Sequence, residues 1–269
     1  MLSGIDSARE KERVLDRWVL WVVIGYLVVA FLTSLTLDVL VPWHPLIDRI
    51  SYPAWYILYR EKGPTETLQW LSLGFGILCC GILIGFSIAR SALSGLRERY
   101  AGWLVLGFGL VLLIMEDAGN IRHAIREQVV FVLGSPVQST ALIVELIIYG
   151  IFTLIMVLGL IMTWRQWSEP GGAWKRILLG YAVYGVAGFA SASRNVGDWY
   201  VAVGGHIIQM LGVEDDVRWT AFAGIAGGMR ETGFYLIDLM FEESLELLAA
   251  GLILSSLLHQ VHRTTRRAA

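Results

Sequence analysis

Apolar positions along the chain gather into six blocks divided by short inner and longer outer connectors. They run from about Trp18 to Leu37, Thr67 to Ala89, Ala101 to Glu116-Asp117, Ala141 to Trp164, Ile177 to Ser193 and Leu239 to Leu258. Crossing a hydrocarbon core takes roughly 20 apolar residues. The pattern therefore predicts an all-α, polytopic integral membrane protein, a helical bundle of six transmembrane helices in one domain (residues 18–258). A charged lead-in at 1–17 precedes it and a basic tail at 259–269 follows. The first block is too long for a cleavable signal and no small-residue cleavage site follows it, so it is expected to remain as the first span.

The connectors differ in character. Segment 38–66 carries Trp43, Tyr52, Trp55, Tyr56 and Tyr59. Amphipathic rings favour the headgroup layer, so part of this loop is expected to lie along the membrane surface. Segment 194–232 contains an apolar piece, Trp199–Leu211, too short to span, which predicts an interfacial or re-entrant helix. Glu214-Asp215-Asp216 reads as a solvated turn, and Pro170-Gly171-Gly172 as a tight connector. Gly81 and Gly85 match the small-residue packing pattern of membrane helices, compatible with a homo-oligomer.

Lys and Arg set the expected orientation. With both termini cytoplasmic, 13 of the 21 fall on the inner side, in short basic loops, and 8 on the outer. Acids favour the outer ends, where they mark candidate chemistry. A bacterial inner membrane is the simplest setting, given the short loops and the absence of sorting signals.

Composition supports the membrane class. The chain is 56% hydrophobic and 16% charged over 269 residues, far more apolar than a soluble domain. The net charge of −2 says nothing about nucleic acid, but no basic, aromatic-laced patch appears, so no nucleic-acid partner is expected. Adjacent Cys79 and Cys80 lie mid-block and read as packing. No His lies inside a block, which argues against haem.

Depth brings the polar groups into focus. At ~1.5 Å per residue, Glu242 sits ~24 Å from the inner end of the sixth block, and Glu116 and Asp117 ~22–24 Å along the third. Glu145 and Arg194 come out near the same outer layer. Unpaired charges at such depth are costly, so they must pair, bind protons or cations, or line a wet cavity. Asp238, Glu242 and Glu246 recur every four residues and form one stripe on an α-helix, with Glu243 beside it. If the third helix continues outward, Glu116, Asn120, His123 and Glu127 share a face as well.

Oxygen and imidazole donors at such spacing suit Zn²⁺, Mn²⁺ or Fe²⁺. His123, Glu145, Asp238 and Glu243 are the candidate metal ligands. Glu116, Asp117, Glu242 and Glu246 are candidate acid–base groups. Arg194 and Arg230, with Tyr149, are candidates for holding an anionic or polar substrate group. The competing reading of each acid is structural: pairing with Arg194 or Arg230, or capping of a helix end. The expected function is a metal-dependent, hydrolase-like intramembrane enzyme taking a lipid, lipid-linked or small-molecule ligand from the outer face of the lipid bilayer. The alternatives are a cation or proton transporter and a non-catalytic receptor or scaffold.

Overall fold

A computed structural model describes residues 2–40, 52–94, 100–133, 138–167, 173–194 and 196–268. The side chains of 2–16, 93, 94, 123, 133, 138–141, 267 and 268 are also outside the description. Trp43, His44, the Pro170-Gly171-Gly172 turn and the side chain of His123 therefore lie outside the described residues.

Every regular element among the described residues is helical. They are α1 (Leu2–Leu35), α2 (Ala54–Tyr59), α3 (Pro64–Ser94), α4 (Ala101–Asp117), α5 (Ile121–Leu133), α6 (Gln138–Trp167), α7 (Ala173–Ser193), α8 (Trp199–Leu211), α9 (Val217–Ala226), α10 (Met229–Tyr235) and α11 (Glu243–Ala268). Two π-helical turns extend this set, Thr36–Leu40 after α1 and Leu236–Glu242 between α10 and α11.

Four described stretches are long and apolar enough to cross a membrane: Arg17–Leu40, Ala54–Ala92, Leu142–Trp167 and Met229–Arg266. That is fewer than the six blocks suggest. Helix α4 has only 17 residues. Helix α7, although 21 residues long, opens with Lys175 and Arg176 and closes on Ser191 and Ser193, which dilute its apolar character. The last stretch differs from the first: 67% of its most apolar window is buried by protein, against 17% for Arg17–Leu40.

The chain divides into two compact units, each described by itself. The first contains the chain up to Val22, Gln69–Gly185 and Leu248 onward. Its core is built where α4 lies on α6. Glycine permits the approach: a Cβ on Gly159 would come within 2.9 Å of the Leu106 backbone nitrogen, and one on Gly102 within 2.7 Å of Thr163 Cγ2. Leu106, Leu110, Ile253 and Leu257 are almost wholly buried there, and Trp103 meets Trp167 at a ring separation of 5.4 Å. By contrast, a Cβ on Gly81 or Gly85 would meet nothing within 4 Å, so neither glycine serves packing inside the chain.

The expected outward continuation of the third helix does not occur. Helix α4 ends at Asp117, and α5 starts afresh at Ile121 after Asn120 at φ +48°. Asn tolerates this left-handed conformation, which redirects the chain. Asn120 and Glu127 are exposed while Glu116 is buried, so the spacing that placed them on one face is lost.

The second unit contains Val23–Leu68 and Val186–Leu247. Helix α10 packs on α8 at a glycine crossing so close that a Cβ on Gly204 would stand 1.9 Å from the carbonyl oxygen of Gly233. Asp216 caps α9 by accepting the Arg218 backbone N–H at 2.9 Å. The acidic run thus ends in a cap, with Glu214 and Asp215 exposed as expected of a turn.

Two of the described loop aromatics turn inward. Trp55 and Tyr59 are 2% and 1% exposed, and Trp55, Tyr56, Trp219 and Phe222 stack on one another with ring separations of 4.7–5.9 Å. Asp38, in the first π-helical turn, makes this possible. Its carboxylate accepts the backbone N–H groups of Ala54 (2.7 Å) and Trp55 (2.9 Å) at the start of α2, and Arg218 stands 3.8 Å from it. A buried acid so placed holds α2 in position and satisfies two helix-start donors at once.

Candidate carboxylate sites

In the second unit the acidic run Asp238–Glu246 does not lie on a single α-helical stripe. Asp238 and Glu242 belong to the π-helical turn, and Glu243 opens α11. Widening the helix changes the angular step per residue, so a spacing of four no longer stacks side chains on one face. Asp238 pairs with Arg194 at 3.0 Å, each side chain 16% exposed. Glu242 is buried and accepts a hydrogen bond from the Tyr200 hydroxyl at 3.0 Å. Burial, and then the Glu242 carboxylate, push the Tyr200 phenol well above the ordinary tyrosine range, so it stays a donor.

Glu243 and Glu246 are buried too. A residue outside the sequence-derived set joins them. Glu66, near the start of α3, is 4% exposed, and a carboxylate oxygen of Glu66 lies within 4.8 Å of one on Glu243. Glu66 also accepts the backbone N–H of Lys62. Two like charges this close repel by about 3.5 kcal/mol at an effective dielectric of about 20. A proton or a cation between them would offset that repulsion.

Arg230 stands apart from these groups. It pairs with Asp198 near the surface, with side chains 61% and 64% exposed, so it is not positioned with the buried acids as a substrate-binding cation.

In the first unit Glu116 and Glu145 are matched by arginines. Arg122 Nε lies 3.1 Å from Glu116 Oε1, both buried. The Tyr149 hydroxyl stands 3.4 Å from the same oxygen, and the Arg122 guanidinium bonds to that hydroxyl and lies 5.0 Å from the Tyr149 ring centroid. One turn further along α5, Arg126 pairs with Glu145 at 2.7 Å. The first arginine thus serves both Glu116 and Tyr149, and Glu145 is an ion-pair partner. Asp117 accepts from Gln69 Nε2 at 2.8 Å and Trp70 Nε1 at 2.6 Å, and Gln69 Nε2 also meets the Tyr184 hydroxyl at 2.8 Å.

The structure thus gathers Asp238, Glu242, Glu243, Glu246 and Arg194 in one unit, and Glu116, Asp117, Glu145 and Tyr149 in the other. Sequence reasoning overlooked Glu66, Gln69, Tyr200, Arg122 and Arg126. The two arginines carried a signal: four apart on a helix, they share a face. Glu66 carried little, since an acid in the first turn of a helix is usually just a favourable dipole partner.

The chain matches no family profile, no curated protein and no solved structure at a significant level.

Proposed function

We propose that this protein is an intramembrane enzyme of hydrolase type acting on a lipid or lipid-linked substrate, with the Glu66–Glu243 pair as its reaction centre. One observation carries the reading: two buried carboxylates, from separate helices, held within 4.8 Å of each other. A cation bound between them would offset their repulsion and be placed to activate water. Glu242, oriented by Tyr200, and Glu246 are the acid–base groups of the same run, and Arg194 pairs with Asp238 in it.

The donor set in this unit is all oxygen, which fits Mn²⁺ or Fe²⁺ better than Zn²⁺, whose sites favour nitrogen and sulfur. Glu66 and Glu243 would hold the ion, and a bound divalent cation would supply hydroxide at neutral pH. The proposal sets the chain in a bacterial inner membrane, termini inside and carboxylates toward the extracytoplasmic side, in line with the Lys and Arg distribution. It also treats α8 as an interfacial helix.

Elemental analysis of the purified protein tests it, beside the E66Q and E243Q variants. The expected result is a near-stoichiometric divalent metal in the wild type, lost in both variants with the fold retained. A metal-free wild type whose variants are as stable and as active as the parent sinks the proposal. Glu246-dependent proton flux in proteoliposomes would move the site to the transporter class.

The scaffold reading draws support from a specific observation in the other unit. Glu116 and Glu145 each face an arginine, as structural acids do. We assign those two to stability.

A further inference from the structure

The second unit carries a half-open cavity of about 610 Å³. Its walls include Leu27, Phe31 and Leu35 of α1, Leu211 of α8, and Leu236 and Met240 of the second π-helical turn. The volume lies within the usual ligand-pocket range of about 300–1,000 Å³. We propose that it binds one acyl chain of a membrane phospholipid. The inference rests on the lipid-substrate reading above and deepens it by naming where the substrate's hydrocarbon lies.

Three observations select that occupant. First, nearly all the lining is hydrocarbon, and its polar groups are engaged elsewhere apart from the buried indole N–H of Trp55. Ser34 donates to the Ala30 carbonyl at 2.9 Å, Asp38 accepts from α2, and Ser244 bonds to the Met240 carbonyl at 2.6 Å. Buried water needs two to four polar partners, so water is a poor filling.

Second, the cavity is continuous with an exposed apolar face. Val28, Phe31, Leu32 and Phe241 line it and are each 45–52% exposed, and the first three lie on the apolar stretch Arg17–Leu40. Third, size discriminates against a helix from a second copy. A helix about 10 Å across occupies roughly 420 Å³ per turn, so little more than one turn would enter. A single alkyl chain is far thinner. Ser244, which lines the cavity, is the chain neighbour of Glu243.

The test uses full-length protein in nanodiscs of phosphatidylcholine, doped with a phosphatidylcholine that carries a diazirine midway along one acyl chain. After irradiation, adducts are mapped by peptide mass spectrometry. Leu236, 5% exposed, is reached through the cavity; Val29, 63% exposed and not part of the lining, reports ordinary annular lipid. Adducts on both residues are expected. L27W/L211W, which fills the cavity, should lower the Leu236 adduct at least five-fold and leave Val29 unchanged.

Adducts on Val29 with none on Leu236 in the wild type overturn the inference, as does a Leu236 crosslink to a second copy. The wild-type comparison decides the matter even if the double variant does not fold. E243Q separates the two proposals. Unchanged Leu236 labelling in E243Q is expected; if that variant also keeps full activity, the reaction centre fails while the chain site stands. Loss of activity in E243Q from a wild type that never labels Leu236 gives the reverse.

Discussion

Replacing Arg122 by Met is the sharpest test of how the first unit tolerates its acids. Arg122 and Glu116 are 7% and 9% exposed at their side chains and 3.1 Å apart. Removing one member of a buried ion pair leaves the other charge poorly compensated, at a cost of about 3–5 kcal/mol. Arg122→Met also removes the guanidinium that bonds to the Tyr149 hydroxyl and faces its ring. At about 2–4 °C per kcal/mol for a chain of this size, the apparent Tm should fall by roughly 6–20 °C. Fluorescence-detected size-exclusion chromatography of a GFP fusion, heated in dodecyl maltoside, measures this shift. Glu116→Gln should cost less, since the amide keeps an acceptor toward Arg122. The double variant R122M/E116Q removes both charges together, and should recover much of the loss with a coupling of about 2–3 kcal/mol. Strictly additive losses would refute the reasoning. Glu116 would then owe its charged state to something other than Arg122, and its assignment to structure would fall.

Other consequences follow from the same geometry. Gly204→Ala places a methyl 1.9 Å from the Gly233 carbonyl oxygen and should cost about 1–3 kcal/mol or more, read as early melting, whereas Gly205→Ala, whose Cβ meets nothing within 4 Å, should be nearly silent. Tyr200→Phe withdraws a buried hydroxyl from Glu242 and should lower stability by about 1–3 kcal/mol in the same melting assay. Asp216→Ala removes the α9 cap, with an expected loss of about 0.5–2 kcal/mol at pH 7. Burial alone would raise the Asp216 carboxyl, but the bonds from Arg218 outweigh it and hold the value below the ordinary range. A carboxylate depressed in the folded state stabilises above its unfolded value of about 3.9, and that contribution fades as pH falls through the folded value. The gap between parent and Asp216→Ala should therefore narrow in acid, and a constant gap would contradict the ionised cap.

Much of the local structure is legible in the residue pattern. Trp199–Leu211 reads as an isolated apolar piece and forms α8 over that same range. The long apolar stretches become helices because a membrane or a core both reward burying a continuous apolar surface, and a helix satisfies its own backbone groups in either place. The burial of Glu242, Glu243 and Glu246 is likewise foreshadowed by acids entering an apolar run.

Partners and register are different. Arg194 with Asp238 was among the pairings the chain suggests, but Arg230 goes to Asp198 and the two acids of the first unit take Arg122 and Arg126. Which acids Arg122 and Arg126 reach depends on how α5 turns after Asn120, a left-handed residue. The π-helical turn at Leu236–Glu242 is equally hidden: helical periodicity assumes a constant step per residue, and one widened turn rotates every later side chain. Read alone, then, the residues of this chain determine its helical nature, its apolar stretches and the presence of acids that must be compensated, because these follow from local composition and period. Glu66 beside Glu243, the apolar cavity and the choice of salt-bridge partners emerge only after folding, because they join residues far apart in the chain, and nothing in local periodicity encodes a distance between them.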